Sequence, residues 1–138
     1  MTGQSNTVVV GVDASPCSDD AVRWAERFAA SVGADLRLVT AWGRPMVYGS
    51  PTLVGDGDLK EVAQTIVDKA AAGLALPAPR VHGEIAQGDP ADVLVAASRG
   101  ARVLVVGSKG HNPVAAAVLG SVSERCVHNA EVPVVVVR

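Results

Sequence analysis

Cysteine and histidine are scarce in this chain, and their spacing excludes two kinds of scaffold. The two cysteines, Cys17 and Cys126, form no C-x-x-C pair. The three histidines, His82, His111 and His128, fall at intervals that match no zinc site. Neither a structural metal centre nor a disulfide framework is expected, and both thiols read as free. Long hydrophobic runs are missing as well. No apolar stretch approaches the roughly 18 residues of a membrane span, and residues 1–6 carry neither the basic stretch nor the apolar core of a signal peptide. The reading is a cytoplasmic protein without a membrane partner. Charge of one sign is also lacking. Twelve Lys and Arg against 14 Asp and Glu leave a net charge of −2, too little to draw nucleic acid through a broad field. No internal repeat occurs, and the only biased stretch is Ala70-Ala71-Ala72, a good helix former.

Several chemical signatures are absent too. Lys109 is followed by Gly110, so there is no Walker A motif, and the turn after the first apolar run reads Val12-Asp13-Ala14-Ser15, which is no Rossmann fingerprint. No Ser-His-Asp order, acid/base carboxylate pair or metal triad stands out. Catalysis on a ligand finds no support in these residues.

What the chain does contain is a regular alternation. Its 138 residues suffice for one domain with a real core, and residues 1–138 read as one domain. Thr7 to Val12, Leu36 to Ala41, Arg80 to Ile85, Ala101 to Val106 and Val132 to Val137 read as strands, the first and last almost wholly apolar. Between them run helical stripes. Ala21, Trp24, Ala25, Phe28, Ala29 and Val32 follow a cap at Ser18 and stop at Gly33. Leu59, Val62, Ala63, Ile66, Val67, Ala70 and Leu74 trace a second helix. Asp89-Pro90 opens a third that ends before Gly100, and a fourth covers about Val122 to His128. The order βαβαβαβαβ predicts an open, doubly wound parallel sheet with helices on both faces. Trp42 to Gly57 is the one long connection, of the kind that serves as a lid or binding loop or forms a disordered segment. Its Met46 and Tyr48 could cover an adenine, meet a partner or pack on their own domain.

The most informative stretch is Gly107-Ser108-Lys109-Gly110, then nine residues, then Gly120-Ser121. It follows an apolar strand and precedes a helix, with Ser121 and Glu124 forming an S-x-x-E capping box. Glycines allow main-chain N–H groups to approach an anion, and a helix start attracts negative charge. A phosphate cradle near Ser121 is the functional reading; turns that simply need glycine are the plain one. Each neighbour carries a similar pair of readings. Ser121 and Ser123 face a bound phosphate or merely cap, and Lys109, His111 and Asn112 meet an anion or solvent. Asp13, at the point where strand order reverses, reads a ribose or base edge or closes its own Asx turn. Cys17 is a dipole-activated thiol or a plain small residue.

Two stretches together are similar to the universal stress protein family, small α/β domains that bind adenine nucleotides. They are Val10-Gly11-Val12-Asp13-x-Ser15-x-x-Ser18-x-x-Ala21 and Gly107-x2-Gly110-x9-Gly120-Ser121-Val122-Ser123, the latter followed by a helix and Val132-Pro133-Val134-Val135-Val136-Val137-Arg138. The resemblance covers nearly the whole chain. It implies an adenine nucleotide alpha hydrolase-like fold of five strands in the order 3-2-1-4-5, with ATP bound as in the family's ATP-binding branch and Mg²⁺ arriving only with the nucleotide. It places Gly11, Val12, Asp13 and Ala41 around adenosine, and Val106, Gly107, Lys109, Gly110, Gly120, Ser121, Val122 and Ser123 at ribose and phosphates. Ser108 and His111 of the same loop join them as candidate contacts. The stretch His111-Asn112-Pro113 departs from the Gly- or Arg-rich run common in relatives, so AMP or cyclic AMP stands as an alternative ligand. The resemblance also implies a homodimer through the last strand and a stress-response sensor or regulator. A slow Mg-dependent ATPase and a nucleotide-free scaffold are the competing readings.

Overall fold

Val8, Val9 and Val10 are wholly buried, so the strand that holds them must be covered on both faces. A computed structural model, describing residues 5–43, 56–109 and 119–138, puts that strand at the centre of the sheet. The elements in chain order are β1 (Thr7–Gly11), α1 (Pro16–Val32), β2 (Asp35–Trp42), α2 (Asp56–Ala72), β3 (Val81–Gln87), α3 (Pro90–Ala97), β4 (Val103–Gly107), α4 (Ser121–Asn129) and β5 (Val134–Val137). The five strands form one sheet in the order β3-β2-β1-β4-β5. Every neighbouring pair is parallel. This is the 3-2-1-4-5 order expected.

The chain winds outward from β1 to β3, then returns to β1's other side for β4 and β5. Right-handed crossovers run in opposite directions must deposit their helices on opposite faces. Thus α1 and α2 cover Val8, Val10, Leu36, Leu38 and Val105 through Ala21, Ala25, Ala29 and Val67. On the other face α3 and α4 cover Val9, Val39, Leu104 and Val106 through Ala91, Leu94 and Cys126. Register aligns the layers: Val8 lies level with Leu36 and Val103, and Val10 with Leu38 and Val105.

Element ends differ from the sequence reading by one to a few residues, each for a local reason. Ser15, not Ser18, caps α1: its hydroxyl accepts from the Ser18 amide at 3.2 Å, and Pro16 fits the first turn, where its missing N–H is not needed. Gly33 ends α1 at φ +67°, a left-handed cap that favours glycine. Arg80 belongs to a short 3-10 turn, Ala78–Arg80, and donates to the carbonyls of Ala29 and Ala34 at 3.2 and 2.5 Å, closing the C-terminal end of α1. β4 begins at Val103 because Ala101 is held in a turn, its amide donating to Ser98 O at 2.9 Å. β5 begins at Val134, after Pro133, which has no N–H to give. The long connection, with Met46 and Tyr48, lies outside the described residues apart from its ends. No helix among the described residues is long and apolar enough to cross a membrane.

Candidate functional site

Where the two windings part, at the carboxyl ends of β1 and β4, the sheet leaves a crevice that no crossover can fill. A cleft of about 250 Å³ occupies it. β1 and the turn after it contribute Gly11, Val12 and Asp13; α1 contributes Ser18; β2 contributes Val39 and Ala41; β4 and its exit contribute Val106, Gly107 and Lys109. Pro90 and Leu94 of α3 form one wall, and Gly120 to Ser123 at the start of α4 form another. The cleft is therefore apolar along the α3 side and polar toward α4. Among the described residues its charged lining consists of Asp13 and Lys109.

The glycines around it have packing reasons of their own. A Cβ on Gly107 would sit 2.8 Å from the carbonyl carbon of Cys17, where the first turn of α1 crosses the end of β4. One on Gly120 would meet Ser108 O at 3.1 Å and the Lys109 Cα at 3.3 Å. One on Gly11 would strike Leu94 at 2.7 Å. Gly107 and Gly120 are small because main-chain segments approach one another there, whereas at Gly11 the neighbour is the end of the Leu94 side chain. A bulky residue at position 120 consequently disturbs the fold as well as the cleft.

That close approach is what aims α4. The Gly120 amide donates to Ser108 O at 2.7 Å, and the buried Ser123 hydroxyl shares its one proton between Gly120 O at 2.9 Å and Ser108 O at 3.2 Å. Ser121 is not the cap that the S-x-x-E pattern suggests. Gly120 holds the cap position with no side chain to offer, and among the described residues no side chain accepts from the first-turn amides. The starts of α1 and α3 differ, since Ser15 and Asp89 serve theirs, Asp89 accepting from Ala91 and Asp92. The amides of Ser121, Val122 and Ser123 are the donors that a helix start leaves without an intrahelical partner, and these three residues line the cleft.

Arg125 ties this wall to the next, reaching Asp89 at 2.7 Å and Asp92 at 3.0 Å on α3. Behind it Cys126 is fully buried. Burial pushes its thiol up to about 11, with Arg125 opposing and Asp89 adding to the rise. Such a thiol is inert at neutral pH. Cys17, partly buried, places Sγ 3.9 Å from the Ser108 hydroxyl.

Of the residues singled out from sequence, Gly11, Val12, Asp13, Ala41, Val106, Gly107, Lys109, Gly120, Ser121, Val122 and Ser123 line this one cleft. Ser108 is buried behind the wall, where its carbonyl anchors α4. Gly110, His111, Asn112 and Pro113 lie outside the described residues. Asp13 does close its own turn, Oδ1 accepting from the Ser15 amide at 2.9 Å, and it also lines the cleft. Sequence reasoning missed Val39, Pro90 and Leu94 as lining residues, and it read Ser18 as a cap. Leu94 and Pro90 look like ordinary helix residues until the packing of α3 is known.

The universal stress protein family model matches residues 5–138. Two universal stress proteins of Mycobacterium tuberculosis are each 34% identical to the chain, over 151 and 136 residues, covering 94% and 98% of it but 47% and 46% of themselves. The chain thus spans about half the length of the curated relatives it matches. Among solved structures, a universal stress protein in complex with cAMP is 28% identical with a TM-score of 0.72, covering 99% of both chains. One from Archaeoglobus fulgidus in complex with dAMP is 19% identical with a TM-score of 0.68 over 100% of both chains, a likeness of fold.

Proposed function

Because the chain belongs to the universal stress protein family, we propose that it binds an adenine nucleotide in the β1/β4 cleft and acts as a cytoplasmic stress-response sensor or regulator. The observation that carries this reading is the start of α4, left without a side-chain cap at the cleft while α1 and α3 are capped. Amides fixed in place by the Gly120–Ser108 and Ser123–Ser108 bonds are suited to a phosphate, since they need no reorganisation to receive it. The apolar side, with Val39, Ala41, Pro90 and Leu94, suits the faces of a purine. Asp13 is placed to accept from the ribose or base edge. ATP, arriving with Mg²⁺, is the first candidate ligand, with Gly110 and His111 joining Lys109 on the phosphates.

A second ligand, cyclic AMP, is favoured by two observations. Lys109 and Asp13 alone among the described residues bring charge to the cleft lining, a balance that suits one phosphate charge better than several. The 28% identical structure binds cAMP. Among the described residues that line the cleft none stands out as a base for phosphoryl transfer, and occupancy rather than turnover is proposed as the signal.

Titration calorimetry with ATP, AMP and cyclic AMP, each with and without Mg²⁺, tests the proposal. Saturable binding of at least one is expected. If purified protein binds none of them at millimolar concentration, the nucleotide reading fails and a scaffold role takes its place.

A further inference from the structure

The turn that carries Asp13 is not at rest by itself. Ala14 sits at φ +66°, the left-handed region that costs a non-glycine residue roughly 1 kcal/mol or more. Something must hold the chain there. Two buried hydroxyls do so from opposite sides. Thr40 on β2, 3% exposed, donates through Oγ1 to the Val12 carbonyl at 3.0 Å. Ser18 on α1, 4% exposed, accepts from the Asp13 amide at 3.0 Å, and its hydroxyl lies 3.5 Å from the Gly11 carbonyl. The Val12–Asp13 peptide is thereby pinned at both its carbonyl and its N–H. The Asp13 side chain is steadied in turn by the Ser15 amide.

We propose that Thr40 and Ser18 are positioning residues for the nucleotide site, acting through the Val12–Asp13 peptide to hold the Asp13 carboxylate toward the ligand. This rests on the nucleotide reading above. Thr40 is the clearer case, because it is not among the residues that line the cleft and can reach a ligand only through the backbone it holds. Loss of either hydroxyl leaves a main-chain group of the turn without its partner and lets the strained turn relax. The preorganised acceptor is then lost before the core is.

The experiment is a double-mutant cycle read by calorimetry with ATP and with cyclic AMP. Thr40→Val, close in shape to the native residue, and Ser18→Ala are each expected to weaken binding about tenfold. Thr40→Ser and Ser18→Thr, which keep the hydroxyl, should restore most of it. In an Asp13→Ala background neither Thr40→Val nor Ser18→Ala should weaken binding further, because the group they position is gone. Amide exchange by NMR gives a reading independent of ligand: Ser18→Ala should lower protection at Asp13 while the core valines keep theirs. If either variant stays folded and binds like the native protein, or weakens binding equally with and without the Asp13 carboxylate, the positioning role is overturned and the nucleotide reading survives. If the native protein binds neither nucleotide, both fall.

Discussion

Ala14 shows how much a single residue can hide. Nothing in Ala-Ser-Pro announces a left-handed backbone, which glycine would have marked, yet φ is +66°. Ala14→Gly should therefore stabilise the protein by about 0.5–1 kcal/mol, the relief of strain exceeding the added freedom of the unfolded chain. A higher urea midpoint at unchanged slope is the expected result, and a lower midpoint would refute it. Cys126 offers a second reading at this scale. Its folded thiol titrates near 11 against an ordinary 9.0, so on raising pH the unfolded chain loses its proton first. Stability from this group is complete below about pH 9 and falls by roughly 2–3 kcal/mol by about pH 11. Urea unfolding across that window should show the loss in native protein and a flatter profile in Cys126→Ala. Equal slopes would show that the thiol is not the titrating group. Its burial was not legible in the sequence, because Cys126 becomes core only when α4 lies on β4.

At the scale of elements, α4 is the instructive case. The Ser121/Glu124 pair correctly marks a helix start, but the cap falls one residue earlier because the Gly120 amide is already bonded to Ser108 O. That tertiary bond, which no local pattern encodes, sets where α4 begins on the cleft wall. Ser121 is exposed, so Ser121→Glu adds a negative charge at the helix start without disturbing the core. The helix dipole makes this favourable by about 0.3–1 kcal/mol in ligand-free protein. The same carboxylate occupies the place of a phosphate, and nucleotide affinity should fall about tenfold or more. Stability up and affinity down is the signature, read by thermal melts and calorimetry; undiminished affinity would move the phosphate elsewhere. In the Arg125–Asp89–Asp92 tie between α3 and α4, Arg125 and Asp89 are about half exposed and Asp92 mostly so, and it aligns the cleft walls more than it stabilises them.

At the scale of the molecule, β5 leaves an edge. Among the described residues it pairs only with β4, and the carbonyls of Pro133 and Val137 accept from Leu104 and Ser108. In a parallel ladder the intervening Val134 and Val136 then turn their main-chain groups outward. A short apolar edge of this kind is open to a second copy. We predict a homodimer through β5, with a mass by light scattering of about twice 14.0 kDa, reduced to the monomer by Val136→Pro, which removes an outward N–H. A clean monomer of the native chain at micromolar concentration would contradict this.

The sequence by itself determined the winding. Apolar runs such as Val8 to Val10 have to be buried on both faces, and their alternation with helical stripes admits few topologies beyond an open parallel sheet with its crevice at β1 and β4. It also determined which polar residues converge there, because a residue one step past a strand end has little choice of place. Only the tertiary structure decided what each of them does. Gly107 and Gly120 are explained by the approach of Cys17 and Ser108. Leu94 and Pro90 become cleft walls through the seating of α3, Ser18 becomes a partner of a turn rather than a cap, and Thr40, from its place in β2, becomes a second partner. The physical reason is the same in each case. Periodicity and propensity report on neighbours along the chain, whereas these roles depend on contacts between segments that only packing brings together.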